Sequence, residues 1–107
     1  MELNEQLAFS LILHAGEGKS LAFSALQKAK KGEFEQAKMD LEASKKEISK
    51  AHQQQTKLIS SNSKQLPSLL LIHAQDHVMN AMNSLELITE LIDMHHQLQT
   101  QITPQKR

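Results

Sequence analysis

The chain has no cysteine, no tryptophan and no tyrosine, and only three phenylalanines, three glycines and two prolines among its 107 residues. Without cysteine there is no disulfide framework, no zinc-thiolate site and no thiol nucleophile, and a reducing compartment is compatible with the composition. With Phe9, Phe23 and Phe34 as the only aromatic carbocycles, no platform exists on which bases or sugar rings could stack. An excess of one charge is missing too: twelve basic residues balance twelve acidic ones. That balance leaves no electrostatic footprint for nucleic acid or for an anionic membrane surface. The apolar run LAFSLILHA near the start is too short to span a bilayer. It follows Glu2 and Glu5 rather than a basic segment, and no cleavage region succeeds it, so a signal peptide is not expected. These absences predict a cytoplasmic, soluble protein.

What is present is helical patterning. Glycine and proline rarely interrupt the chain and β-branched residues never cluster, so the reading is all-α, one domain over residues 1–107. The pattern predicts helices over about 2–31, 33–61 and 67–99, joined by short connections into an up-down-up antiparallel three-helix bundle, with a frayed tail at about 100–107. Lys28, Lys30 and Lys31 gather at the negative end of the first helix dipole, and Gly32 stops it. In the second helix Phe34, Ala37, Leu41, Ser44, Ile48, Ala51, Gln55 and Leu58 recur at three- and four-residue spacing and form one narrow seam. The polar stretch SSNSKQLP, Ser60–Pro67, makes the second break. A domain this small buries about 60–65% of its unfolded surface, so assembly into an oligomer would supplement its core.

The third helix carries the chemistry. On a wheel of about 100° per residue, Leu69, His73, Asp76, Asn80, Asn83, Leu87 and Met94 share one face that is apolar at both ends and polar between. The neighbouring face, Leu70, Ala74, His77, Ala81, Leu85, Ile88 and Leu91, reads as core apart from His77. Asp76 lies three residues beyond His73 on the same face, where its charge raises the basicity of an imidazole and holds its orientation. A histidine so held can take a phosphoryl group on its free nitrogen, because imidazole is nucleophilic near neutral pH and the P–N bond is labile. Two other readings stay open at this point. His73 and His77, one helical turn apart, can ligate zinc if further ligands come from elsewhere. Alternatively the chain is a noncatalytic helical interaction module whose histidines only pack.

The stretch HAGEGKS, His14–Ser20, imitates part of a phosphate loop, but Leu13 stands where the first motif glycine belongs and no strand precedes it. Ala15, Gly16, Gly18, Ala22, Ala25 and Ala29 are better read as small residues that let another helix approach closely. His14 and His52 read as packing or surface groups, and His95 and His96 as cations favoured at a helix C-terminus.

The segment LLLIHAQDHVMNAM, Leu69–Met82, resembles the active-site signature of the lactose/cellobiose-type enzyme IIA proteins of the phosphoenolpyruvate-dependent sugar phosphotransferase system (PTS). AGEGKSLAFSALQKAKKGEFEQAKMDLEAS and AHQQQT are similar to that family's first and second helices, although Gly18 and Lys19 stand where the family usually has alanine and arginine. The resemblance implies a homotrimer in which His73 accepts phosphate from the phosphohistidine of the carrier HPr and passes it to a cysteine of the cognate IIB component. The membrane component IIC would be served indirectly, and no nucleic acid is involved. It further implies that Asp76 is the metal-binding aspartate, with three copies meeting at the trimer axis, where a hard divalent ion such as Mg2+ suits oxygen ligands. Gln75 and His77 are expected in supporting roles, Gln75 as a phosphate or interface contact and His77 as a packing or hydrogen-bonding group. An apolar rim that includes Leu71, Ile72, Val78 or Met82 is expected to admit the partners. Lactose, cellobiose and chitobiose-like disaccharides all fit, since the resemblance places specificity mainly in the membrane component.

Overall fold

The computed structural model describes residues 3–61 and 69–102. They form three helices and, among the described residues, no strand: α1 (Leu3–Lys30), α2 (Phe34–Ser61) and α3 (Leu69–Ile102). The third helix, described from Leu69, continues past Gln99. Thr100 is helical rather than frayed, and its hydroxyl donates to the Gln97 carbonyl at 2.9 Å. Residues 103–107, Pro67 and most of the second connection lie outside the described residues.

The first connection is made by local backbone chemistry. Gly32 takes φ +84°, a left-handed conformation that a side chain disfavours. Its N–H then reaches the Ala29 carbonyl at 2.9 Å while the Glu33 N–H reaches Lys28 at 2.9 Å. These two bonds satisfy carbonyls that the end of α1 would otherwise leave open, the Schellman arrangement. Lys28 and Lys30 sit in the last turn, where cations offset the dipole.

Pairs between α1 and α2 define an antiparallel register. Ser10 donates to Gln54 at 3.0 Å, His14 Nδ1 lies 2.9 Å from Glu47, and the Ser44 hydroxyl donates to the Gly18 carbonyl at 2.6 Å. Near the turn, Asp40 Oδ2 accepts from the Ser24 hydroxyl at 2.7 Å and from Lys28 Nζ at 2.9 Å. α3 returns parallel to α1, because Phe34, just past the turn, stacks on His96 near the far end of α3 with ring centroids 4.2 Å apart. α1 packs against both partners, while α2 and α3 touch only lightly. The body measures 65 × 20 × 18 Å, about two helix diameters across, so each helix has one stripe to bury rather than a deep interior.

That stripe is lined by small residues. Of the sixteen buried hydrophobic residues among those described, nine are alanines, among them Ala8, Ala15, Ala22, Ala25 and Ala29 on α1. Their short side chains bring the helix axes to the near end of the usual packing range of about 8–10 Å. Gly18 is the tightest point. A Cβ there would collide with the Ile48 side chain and lie 3.3 Å from the Ser44 carbonyl oxygen. The small-residue reading therefore holds for Ala15, Gly18, Ala22, Ala25 and Ala29, but Gly16 is exposed and meets no atom of its own chain within 4 Å. On α2 the expected seam is found: Ala37, Ser44, Ile48, Ala51 and Gln55 are buried, and Phe34 and Leu41 pack against the core. The Leu58 side chain lies outside the described residues.

The core face of α3 differs from the expected one. The buried residues are Leu71, Ala74, Val78, Ala81, Leu85, Ile88 and Ile92, whereas His77 and Leu91 are exposed and Leu70 is only partly buried. The observed stripe keeps unbroken three-four spacing with apolar residues throughout, and it presents Ala74 and Ala81 to the alanines of α1. The expected stripe would have desolvated an imidazole.

Two predictions follow from the α1–α2 contact. Gly18→Ala is expected to cost about 1–3 kcal/mol by overpacking. Combined with Ile48→Ala it should cost less than the two single changes together, measured by urea denaturation as a double-mutant cycle; strict additivity would mean the two sites do not touch. Hydrogen bonds from His14, then Lys50, hold the Glu47 carboxyl below its ordinary value of 4.5. A depressed folded-state pKa contributes stability above the unfolded value and loses it as pH falls through the folded one. Glu47→Gln should therefore melt slightly below the wild type at neutral pH, with the gap closing as the pH drops below about 4.5.

Candidate functional site

The start of α3 brings His73 and His77 together on the solvent side of the helix. Both are exposed, their Nε2 atoms lie 3.1 Å apart, and the rings meet edge to face at 87° with centroids 4.6 Å apart. The four-residue spacing makes this contact, since side chains one turn apart stack along a helix. The hydrogen bond requires one ring to carry its proton on Nε2 and the other to offer a lone pair there. In this contact one imidazole donates through Nε2 and the other accepts there.

The aspartate coupling expected from the sequence is replaced by this histidine pair. Asp76 is exposed, and among the described residues it makes no hydrogen bond or ion pair; His73 is oriented by His77 instead. The signal for that contact was present in the i, i+4 spacing. Gln75, nearly on the opposite side of the helix from His73, is partly buried. The expected apolar rim is corrected in two places: Leu71 and Val78 are core residues at 3% and 0% exposure. The apolar groups that do flank the histidines on the surface are Leu69, Ile72 and Met79, with Met82 partly buried.

The donor set is short for a metal within one chain. Among the described residues no group of three or more histidine, aspartate or glutamate side chains converges, so a zinc bundle built from His73 and His77 lacks its third ligand. Asp76 supplies a single unpaired carboxylate, suited in chemistry to a hard cation but in number only if other copies add theirs. His14–Ser20 lies wholly inside α1, which removes the phosphate-loop reading. No helix among the described residues is long and apolar enough to cross a membrane. A cleft of about 380 Å³ between α2 and α3, lined by Phe34, Lys38, Thr89, Asp93 and His96, lies several turns along α3 from His73.

The three-helix fold has relatives of known class. The model of the family described as "PTS system, Lactose/Cellobiose specific IIA subunit" matches residues 6–101. The chain is 44% identical over 97 residues to the N,N'-diacetylchitobiose-specific EIIA component of Escherichia coli K12, covering 88% of this chain and 84% of that protein. It superimposes on the cellobiose-specific enzyme IIA of Bacillus anthracis with a TM-score of 0.88 at 44% identity, covering 94% of both chains. It also matches the IIA(Chitobiose) chain of an IIA(Chitobiose)–HPr complex from the E. coli phosphotransferase system, with a TM-score of 0.82, 41% identity, and 92% and 99% of the two chains covered. The protein belongs to the lactose/cellobiose-specific IIA family and is a component of a sugar phosphotransferase system.

Proposed function

We propose that the chain is the cytoplasmic phosphoryl carrier of a disaccharide-import PTS, with His73 as the residue that holds the phosphate. The observation that carries this reading is the exposed His73 Nε2, held 3.1 Å from His77 Nε2 on an accessible helix face. The donor is the phosphohistidine of HPr, the partner with which a solved relative is complexed. A lone pair of the His73 imidazole forms the new P–N bond as the P–N bond of the donor breaks and the donor imidazole leaves. The reverse exchange then delivers the phosphoryl group to the thiolate of a IIB cysteine, forming P–S as P–N breaks. Such transfers proceed through a loose transition state, so the protein contributes position and charge compensation. When His77 is the donor of the pair, its Nε2–H occupies the His73 lone pair, so it must leave that nitrogen as the phosphoryl group approaches and can then donate to a phosphoryl oxygen instead. The relatives named for chitobiose and cellobiose support a β-linked disaccharide as the sugar.

The chain works as a homotrimer in this reading. Among the described residues eleven large hydrophobic side chains are exposed, and seven of them, Leu69, Ile72, Met79, Leu87, Leu91, Met94 and Leu98, lie on α3. A soluble chain with so many leucines and methionines on one helix surface has an apolar face in need of cover. Three α3 helices meeting there would bring three Asp76 carboxylates together, and like charges that close share protons or take a cation. Asp76 is the residue that would hold a divalent ion such as Mg2+, whose charge would neutralise the cluster; its role is structural.

Intact-mass spectrometry after mixing the protein with phosphoenolpyruvate, enzyme I and HPr should show a gain of one acid-labile phosphate in the wild type and none in His73→Gln. No gain with an active donor system, or an equal gain in the variant, would displace His73 and bring the interaction-module reading forward. For Asp76→Ala, phosphorylation should persist. Its trimer should dissociate at a different temperature from the wild type and no longer respond to magnesium or chelator; an unaltered trimer would remove the metal role.

A further inference from the structure

Because α2 and α3 touch only lightly, the space between them opens into the cleft of about 380 Å³ near the first turn. Its apolar part is made by Phe34, Leu41 and the buried Ile92. Phe34 is held rather than loose, since its ring stacks on His96 with centroids 4.2 Å apart and 29° between planes, and His95 lies 5.9 Å away. A concave apolar surface with a few polar groups around it is the usual form of a small-ligand site, and this volume lies at the lower end of the range of about 300–1,000 Å³. The α3 residues that line it run from Thr89 to His96, about 24–35 Å along the helix from His73.

The polar groups of the cleft are nearly all acceptors. Glu35 lines it from α2 and Glu90 and Asp93 from α3, and none of these carboxylates makes an ion pair or hydrogen bond among the described residues. Thr89 gives its hydroxyl proton to the Leu85 carbonyl at 2.7 Å, which leaves only oxygen lone pairs to offer. Against these stands Lys38, the one lysine among the lining residues. α3 cannot redress the balance, because no lysine or arginine occurs between residues 69 and 102. Lys28, near the same turn, is already paired with Asp40. Three negative groups against one positive repel phosphates, phosphorylated sugars and carboxylates. They attract a group rich in N–H donors, and the face of a phenylalanine attracts the same cations.

We propose that this cleft binds a small organic cation, an alkyl amine or alkyl guanidinium, whose stem lies on Leu41 and Ile92 and whose N–H groups meet the carboxylates, with Phe34 as the aromatic wall. The assignment is independent of the phosphoryl-carrier reading, since the cleft shares no residue with the histidine pair. A ligand seated there bridges α2 and α3, the least connected pair of helices, and stabilises the fold by mass action.

Agmatine, a guanidinium and an amine joined by a short alkyl stem, is the probe, titrated into the isotope-labelled full chain and followed by amide chemical shifts. The expected result is a saturable response confined to residues 34–41 and 89–96, a raised melting temperature, and an unaltered rate of phosphorylation by phospho-HPr. Asp93→Asn and Phe34→Leu should each weaken binding at least about three-fold, and Lys38→Gln should tighten it by removing a competing cation. Asp93 and Lys38 are exposed, so those two variants keep the fold even if Phe34→Leu disturbs the turn. Shifts that spread over the acidic surface without saturating, or equal affinity in Asp93→Asn, would reduce the effect to general charge attraction and overturn the site. Butanediol binding as tightly as agmatine would overturn the cation assignment. Loss of phosphorylation on binding would place agmatine at the histidine pair, against the proposal. A short arginine-bearing peptide that binds the cleft more than about ten-fold tighter than agmatine would make it a docking point for a protein chain instead.

Discussion

The rest of the structure depends on how closely α1 approaches its two neighbours. Alanines at positions 8, 15, 22, 25 and 29 leave no room for a large side chain in the seam, and Gly18 brings the backbone of α1 against Ser44 and Ile48 of α2. The contact gains in dispersion and in the Ser44–Gly18 hydrogen bond, but each alanine removes little apolar area from water. Apart from the buried Leu11, Leu71 and Leu85, the leucines, methionines and phenylalanines among the described side chains are therefore left partly or wholly exposed. A chain only about two helices thick cannot hide them a second time. The same close packing that defines the fold thus leaves it with apolar surface, and it ties the stability of one chain to what covers that surface.

Register within the seam comes from polar groups rather than from the alanines, which would tolerate sliding. The pairs Ser10–Gln54, His14–Glu47, Ser44–Gly18 and Ser24–Asp40 are spaced along the whole α1–α2 contact. Of these only Ser44–Gly18 is buried, and the other three are worth little alone at their partly exposed sites. Together they are satisfied in one alignment only. α3 has few such pairs with the other helices, and its position follows from the apolar fit of Leu71, Val78, Leu85 and Ile92 against α1.

The difference between α2 and α3 explains how much of this was legible in the sequence. α2 has one apolar stripe in an otherwise polar helix, so periodicity alone identifies its buried face, down to Ser44 and Gln55. α3 is apolar on two sides. Spacing cannot say which side meets the same chain and which meets something else, and the assignment of Leu70, His77 and Leu91 to the core was displaced by one position for that reason. The site suffered a related ambiguity. Asp76 and His77 both lie within one turn of His73, and only the side-chain geometry shows that the imidazole pairs with the second. The Gly32 stop, by contrast, was plain, because a left-handed residue after a run of lysines has few alternatives.

α3 combines three duties around its circumference: a core stripe toward α1, the histidine pair on one flank, and an apolar arc facing away. Its electrostatics bear on the second duty. A phosphoryl group on His73 would sit on a helix whose only formal charges are carboxylates, with Asp76 a turn away and no lysine or arginine between residues 69 and 102. Nothing on that helix would neutralise a dianion except the N–H of His77. A carrier needs that poverty, because a cationic cradle would hold the phosphate and slow its departure. The compensating charge is then best supplied at the moment of transfer, by groups that arrive with the donor or acceptor and leave with it. A helix face that carries no lysine or arginine of its own therefore suits a group that is meant to be passed on, whereas a deep basic pocket would suit one that is meant to stay.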